Sequence, residues 1–400
     1  MPGSIDLETR IVTTVALLGR DYRGVSFEIL CNEGDAVQAG AALMRDARRP
    51  DIRFTAPAGG RILRIERGAR RKLVSLQIEV DETAGVASYQ PPVTEERADL
   101  RGFMLESGAW SSLRTRPFGN IPDPDAEPAA IFVTALDAEP LAPDPRAVID
   151  ARLDEFNAAL GVLTKISSAP LYVCLTPGHT LGIEQSEGLR CISFTGGHQA
   201  GLPGIHINAL CPIGFAGGEV WHLGYQDVIS LGHLLLQGMP WAQRVISLGG
   251  SAVKNSRSLL VAPGAVIDQL LADELVDGPT KIYTGSSIYG RPLSNQQKFL
   301  SAGQRQITAQ ALSDNESEAD QPQGSVLIPN DRLEQLAPPG IFPVPLMRAL
   351  QLGDAERARE LGALELVEED VAALSHACVS GNDYGLLLRN VLDQLEVASR

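Results

Sequence analysis

From Cys191 to Gly218 the chain reads CISFTGGHQAGLPGIHINALCPIGFAGG, 28 residues without an Asp, Glu, Lys or Arg. Such a stretch is a membrane span, a ligand-cradling loop or buried scaffold. Its length suits a bilayer, since a spanning helix needs about 20 mostly apolar residues. Its composition does not: seven glycines together with Pro203 and Pro212 break a helix, at about 1 kcal/mol per Gly and about 3 kcal/mol per Pro relative to Ala. The stretch therefore reads as a strand running into a Gly-rich loop, packed against neighbouring backbone at the edge of a sheet.

The rest of the composition narrows the class. At 400 residues the chain holds more than one unit on the soft prior of about 100 to 200 residues per domain. Forty-nine acidic against 34 basic residues leave a net charge of −15, which repels phosphate backbones and argues against nucleic-acid binding or a polybasic anchor. The five cysteines, at 31, 174, 191, 211 and 378, are scattered and form no CxxC pair, which argues against a disulfide scaffold, a zinc knuckle or an iron–sulfur cluster. The opening MPGSIDLETRIV lacks a basic region followed by an apolar core, so no signal peptide is expected. Work at a membrane would then go through a partner that spans it.

Residues 11 to 88 read as short β-branched strands with Gly, Asp and Asn punctuation. GDAVQAGAALM and FTAPAGGRI resemble the two halves of a biotinyl/lipoyl-like barrel sandwich. Carrier domains of that kind attach their cofactor to a hairpin lysine, and here the hairpin reads RDARRPD, with Arg48 and Arg49. A guanidinium stays protonated and cannot accept an acyl group, so a structural module is expected. Residues 91–127 read as a linker. AAIFVTALD, PLYVCL and RCISF then read as strands, with a helix between the first two that starts at the N-cap Asp144 and Pro145 and continues through Ile149, Leu153, Phe156 and Leu160. That order implies an open, parallel α/β sheet. Domain expectations are a barrel sandwich over 1–90, a Rossmann-like α/β domain over 128–240, a β-grasp-sized unit over 241–300 and a helical C-terminal region over 325–400. SDNESEADQPQG (313–324) reads as a polar loop.

Two strands end alike, CLTPGH at His179 and SFTGGH at His198. In open α/β sheets ligands sit beyond the carboxyl ends of strands, so Thr176, His179, Thr195, His198, His206 and Trp221 are the candidate crevice residues. The glycines of GHQAGLPG, at 197, 201 and 204, match neither the phosphate loop GK[ST] nor the dinucleotide GxGxxG turn. His198, His206 and His222 are spaced too widely for a metal pair; they line a crevice or are satisfied structural histidines. Trp221 and Tyr225 are core aromatics or a face for a flat ring such as a quinone. In RTRPFGNIP, Arg114, Arg116 and Phe118 form either a solvated linker or a docking strip with forked donors for carboxylates. No catalytic triad or other catalytic signature can be placed.

RTRPFGNIP, AAIFVTALDAEPLAPDP, FTGGHQAGLPGIHI, VWHLGYQDVISLG, RVISLGGSAVKN and RALQLGDAERARELGALELVEEDVA together resemble the NqrA family, found in the sodium-translocating NADH:quinone reductases. The resemblance spans roughly residues 11 to 395. It implies the four-part architecture above, with the β-grasp unit SLBB-like. It also implies a cytoplasmic protein, peripheral on the inner face of the bacterial inner membrane, that joins a membrane-bound complex passing electrons from NADH to ubiquinone. Flavins and iron–sulfur centres would lie in partner subunits, with no covalent cofactor here and membrane contact only through those partners. The family reads GPHPAGLPGTH where this chain has GGHQAGLPGIH. That change motivates the alternative of a divergent stand-alone binding or assembly module retaining the fold.

Overall fold

The structure, a computed structural model, describes residues 7–179, 182–183, 187–214, 218–294, 297–312 and 326–399. The polar segment expected over 313–324 lies outside the described residues, as do 215–217 of the Gly-rich stretch.

The first unit is a barrel sandwich. Strands Thr14–Leu18, Leu73–Val80, Gly60–Arg67 and Ala36–Val37 form one antiparallel sheet, and Phe27–Ile29, Ala42–Asp46 and Arg53–Thr55 form the other. Val15, Met44, Ile52, Phe54, Leu76 and Ile78 fill the space between them. Gly60 shows why the FTAPAGGRI glycines matter. Its φ is +154°, and an added Cβ would lie 1.9 Å from the Glu79 carbonyl oxygen, a position only glycine tolerates. The RDARRPD hairpin is tied down. Asp46 is fully buried and accepts from the Arg48 backbone N–H and the Arg49 Nε, while Arg49 Nη1 donates to the Ile121 carbonyl.

The second unit carries the sheet that positions the site. Its order is Leu189–Ser193, Leu171–Leu175, Ile131–Ala135, Val220–Gly224, Arg114–Arg116, with the first four parallel and the last antiparallel. Residues 91–127, expected as a linker, instead contribute helix Arg97–Glu106 and the edge strand Arg114–Arg116. Pairing with Val220–His222 makes a strand of a charged tripeptide that carries no local strand signal. The expected helix after Asp144 is capped as read, with Asp144 accepting from the Arg146 N–H, but it is two helices, Pro145–Asp150 and Leu153–Leu163. Arg152 leaves helical geometry between them, bridges Glu155 at 3.0 Å and lies 5.1 Å over the Trp241 ring. Helix Tyr225–Gln237 closes at Gly238, φ +66°, a left-handed C-terminal cap.

The third unit has β-grasp connectivity. Its strand order, Arg257–Val261, Arg244–Gly249, Gln306–Ala311, Thr280–Thr284, Arg291–Pro292, places its first and last strands in chain order side by side and parallel. The unit therefore runs past residue 300, where the sequence pattern alone ends it. Glu8–Arg10 adds a further parallel strand beside Arg257–Val261, so the chain start belongs to this sheet and not to the barrel. Helices Asp331–Leu336, Pro343–Leu352, Ala355–Glu360, Glu368–Ala377 and Tyr384–Ala398 form the last unit around its own core of Leu346, Met347, Val371, Leu374, Leu388 and Leu392. No helix among the described residues is long and apolar enough to cross a membrane.

Candidate functional site

Strand order reverses between Ile131–Ala135 and Val220–Gly224: the chain passes from the former outward to Leu171–Leu175 and Leu189–Ser193, then returns to its other side. The crevice beyond such a switch point is the usual ligand position in open α/β sheets. Here the chain fills it with its own side chains. Asp137 leaves the first strand buried, and its Oδ2 accepts from the Arg305 Nε at 2.7 Å, while Gln306 Nε2 donates to the Pro140 carbonyl. Arg305 and Gln306 come from the β-grasp unit, so the two sheets meet at this crevice.

The Gly-rich stretch packs against the same exit. A Cβ on Gly201 would meet the Ala138 amide nitrogen at 2.9 Å, and one on Gly204 would meet Asp370 Oδ1 at 2.5 Å. Gly204 lies in the first turn of helix Pro203–Leu210, and the Asp370 carboxylate of the helical unit occupies the space a side chain would need. The loop thus cradles an acid, as its glycines suggest, and the acid is internal.

The candidate crevice residues fall in three places. Thr176 and Thr195 are exposed at the ends of neighbouring parallel strands, where the Phe194 N–H donates to the Leu175 carbonyl. His198 stands beside them with its ring 5.7 Å from Tyr289 of the β-grasp unit. His179 is buried, with Nε2 3.4 Å from Asp150 Oδ1. His206 lies beneath, fully buried against Phe194. Its Nε2 donates to the Ala200 carbonyl at 2.7 Å, and burial lowers its pKa to about 4. It is a neutral structural histidine.

Trp221 is elsewhere. Expected at the crevice, it is fully buried on the opposite sheet face, edge-on to Trp110 at 5.4 Å, under Arg101, with Nε1 donating to Glu219. Its neighbour His222 takes the other face, because successive strand side chains alternate. Burial first, then Arg116 and Arg114, push the His222 pKa well below the usual imidazole range.

The proposed docking strip is engaged within the chain. Arg116, fully buried, donates to Asp370 at 2.7 Å, to Glu369 at 3.0 Å and to the Glu365 carbonyl. Phe118 offers its carbonyl to Arg389, which also grips Glu368 with two donors. Arg114 donates to the Asp21 carbonyl and lies over the Tyr22 ring of the barrel. An external partner would have to displace the helical unit to reach Arg116. Sequence pattern does not single out Asp370, Arg305 or Tyr289; their only signal, an acidic run EED (368–370) opening a helix, gives no hint of its distant arginine.

Fold and site together define a multidomain α/β protein with a barrel-sandwich head, whose sheet-edge crevice is sealed by its own β-grasp and helical units. Residues 4–81 match the NqrA N-terminal barrel-sandwich hybrid domain and residues 95–240 the NqrA second alpha/beta domain. The chain is 36% identical to the NqrA subunit of the Na(+)-translocating NADH-quinone reductase of Pseudomonas aeruginosa, over 97% of this chain and 94% of that one. The protein of the same name from Neisseria meningitidis serogroup A is 35% identical, over 99% and 96%. That of Klebsiella pneumoniae is 36% identical, over 96% and 94%. A crystal structure of an NAD+-reducing nickel–iron hydrogenase, at 11% identity and a TM-score of 0.41 over 77% of this chain and 62% of that one, is too weak a likeness to add to this. The chain belongs to the NqrA family of Na(+)-translocating NADH-quinone reductase components.

Proposed function

We propose that this chain works as the NqrA component of a Na+-translocating NADH:quinone reductase, peripheral on the cytoplasmic face of the inner membrane and associated with the quinone-reduction step. The observation that carries the reading is collinear similarity over nearly the whole of both chains. Redox chemistry is assigned to partner subunits, where flavins and iron–sulfur centres would sit, and this chain contributes binding surface and assembly. The ubiquinone head group is assigned to the rim beyond the two neighbouring strand ends. There the Thr176 and Thr195 hydroxyls and the His198 imidazole can donate hydrogen bonds to a carbonyl oxygen, with the Tyr289 ring alongside. Trp221, on the far sheet face, takes no part.

The test is a gentle-detergent purification of the tagged full-length chain from its native membranes, with mass spectrometry and an NADH:quinone assay on the eluate. Co-purification of flavin-bearing membrane proteins with activity is expected. Recovery of unrelated partners only, or of the chain alone, would sink the assignment in favour of a stand-alone module.

A further inference from the structure

The hairpin joining strands Gly60–Arg67 and Leu73–Val80 reads RILRIERGARRK over residues 61–72. It carries five arginines and one lysine against one glutamate, a local charge of +5 in a chain of −15. All six cations are exposed, and none forms an ion pair among the described residues. Glu66 accepts from Ser75 instead. Arg61 and Arg67 donate only to the carbonyls of Gly34 and Arg71, which leaves charge to spare on both.

Two further features set the hairpin apart from an ordinary solvated tip. Arg70 and Arg71 both hold positive φ, +55° and +59°, a left-handed conformation that costs a non-glycine residue about 1 to 2 kcal/mol and that Gly or Asn would adopt with less strain. Cations are thus kept where turn chemistry disfavours them. Leu63, 51% exposed at the register shift between Ile62 and Arg64, and Val74, 43% exposed, stand among the cations, while Ile62 and Leu73 anchor the hairpin into the barrel core.

We infer that this hairpin is a contact for an anionic membrane surface, with the arginines and Lys72 on lipid phosphates and Leu63 and Val74 entering the headgroup boundary. Interleaved cations and isolated apolar side chains fit an interface that offers phosphate outside and hydrocarbon a few ångströms deeper. An acidic protein surface offers the charge without that depth. The chain's overall negative charge does not oppose this, because charges more than about 8 Å from the surface are screened at physiological ionic strength. The asymmetry instead orients the molecule with its hairpin toward the lipid.

The test floats the full-length chain with vesicles of phosphatidylcholine alone and of equal parts phosphatidylcholine and phosphatidylglycerol, at low and high salt. Binding is expected only with phosphatidylglycerol, weakening as salt rises. Each neutralised cation removes about fivefold in partitioning, so a variant with Arg64→Gln, Arg70→Gln, Arg71→Gln and Lys72→Gln should lose several-hundred-fold. Its thermal unfolding should match the parent, because these four side chains make no ion pair in the fold. Absence of parent binding to anionic vesicles at low salt, or unchanged binding by the variant, overturns the inference. So does capture of an acidic polypeptide through the same four residues without vesicle binding. The vesicles carry no other protein, so the result stands apart from the assignment to the complex.

Discussion

Two buried histidines make the fold sensitive to acid. His206 is fully enclosed, its pKa held at about 4 by burial, and His222 is lowered well below the usual range by burial and by Arg116 and Arg114. In the unfolded chain both titrate near 6.5. The folded state therefore binds fewer protons than the unfolded state between these values. Their contribution is fully present above about pH 6.5 and is lost as pH falls toward 4, with a slope of at most about 1.4 kcal/mol per pH unit for each histidine. Urea unfolding at a series of pH values should show this decline. In His206→Gln, whose amide can still donate to the Ala200 carbonyl, the slope between pH 6.5 and 4.5 should be shallower by up to one histidine's share. An unchanged slope would place the acid sensitivity elsewhere. The same pair shows what strand parity reveals: Trp221 and His222 cannot both face one crevice, and the structure gives the crevice side of the sheet to the histidine.

At the scale of elements, the helix pair behind the sheet depends on one close approach. Gly232 in helix Tyr225–Gln237 faces helix Leu153–Leu163, and an added Cβ would lie 1.6 Å from the Glu155 carbonyl oxygen and 2.4 Å from its carbon. Backbone cannot step aside as a side chain can. Gly232→Ala should cost about 3 kcal/mol, the upper end of overpacking penalties, and lower the unfolding midpoint by roughly 6 to 12 °C. Gly161→Ala in the facing helix, where a Cβ meets nothing within 4 Å, should be neutral or stabilising by about 0.5 to 1 kcal/mol. Equal melting of the two variants would refute the packing account. Helices and strands with local signals are legible in the sequence: the Asp144 cap, the helix from Tyr225, the apolar strands ending at Ala135 and Leu175. Arg114–Arg116 and Glu8–Arg10 are not, since three-residue polar strands exist only through pairing with distant partners. The site divides similarly. Thr176, Thr195 and His198 announce themselves at strand ends, whereas Arg305 meets Asp137 across 168 residues and Arg116 meets Asp370 across 254, separations that leave no trace in local spacing.

Across the whole molecule, the helical unit is held by charge more than by shared core. It encloses its own apolar cluster, and its attachments are polar: Arg116 to Asp370 and Glu369, Arg389 to the Phe118 carbonyl, Arg23 to Glu368 and Asp393, Asn120 to Glu396. Removing one partner of a buried pair costs about 3 to 5 kcal/mol, because the other charge is left uncompensated, whereas replacing both with apolar groups is often neutral. Arg116→Met strands Asp370 inside the junction, beside Gly204. Calorimetry of this variant should therefore separate melting of the helical unit from that of the rest, at a lower temperature than in the parent. Combining Arg116→Met with Asp370→Leu should recover most of the lost midpoint, since no buried charge remains. If Arg116→Met melts as the parent does, the junction is not held by this pair. If the double variant fares no better than the single one, packing and not charge sets the cost. Either result would change how the crevice is thought to stay closed, because the same Asp370 fills the cradle that the Gly-rich loop builds.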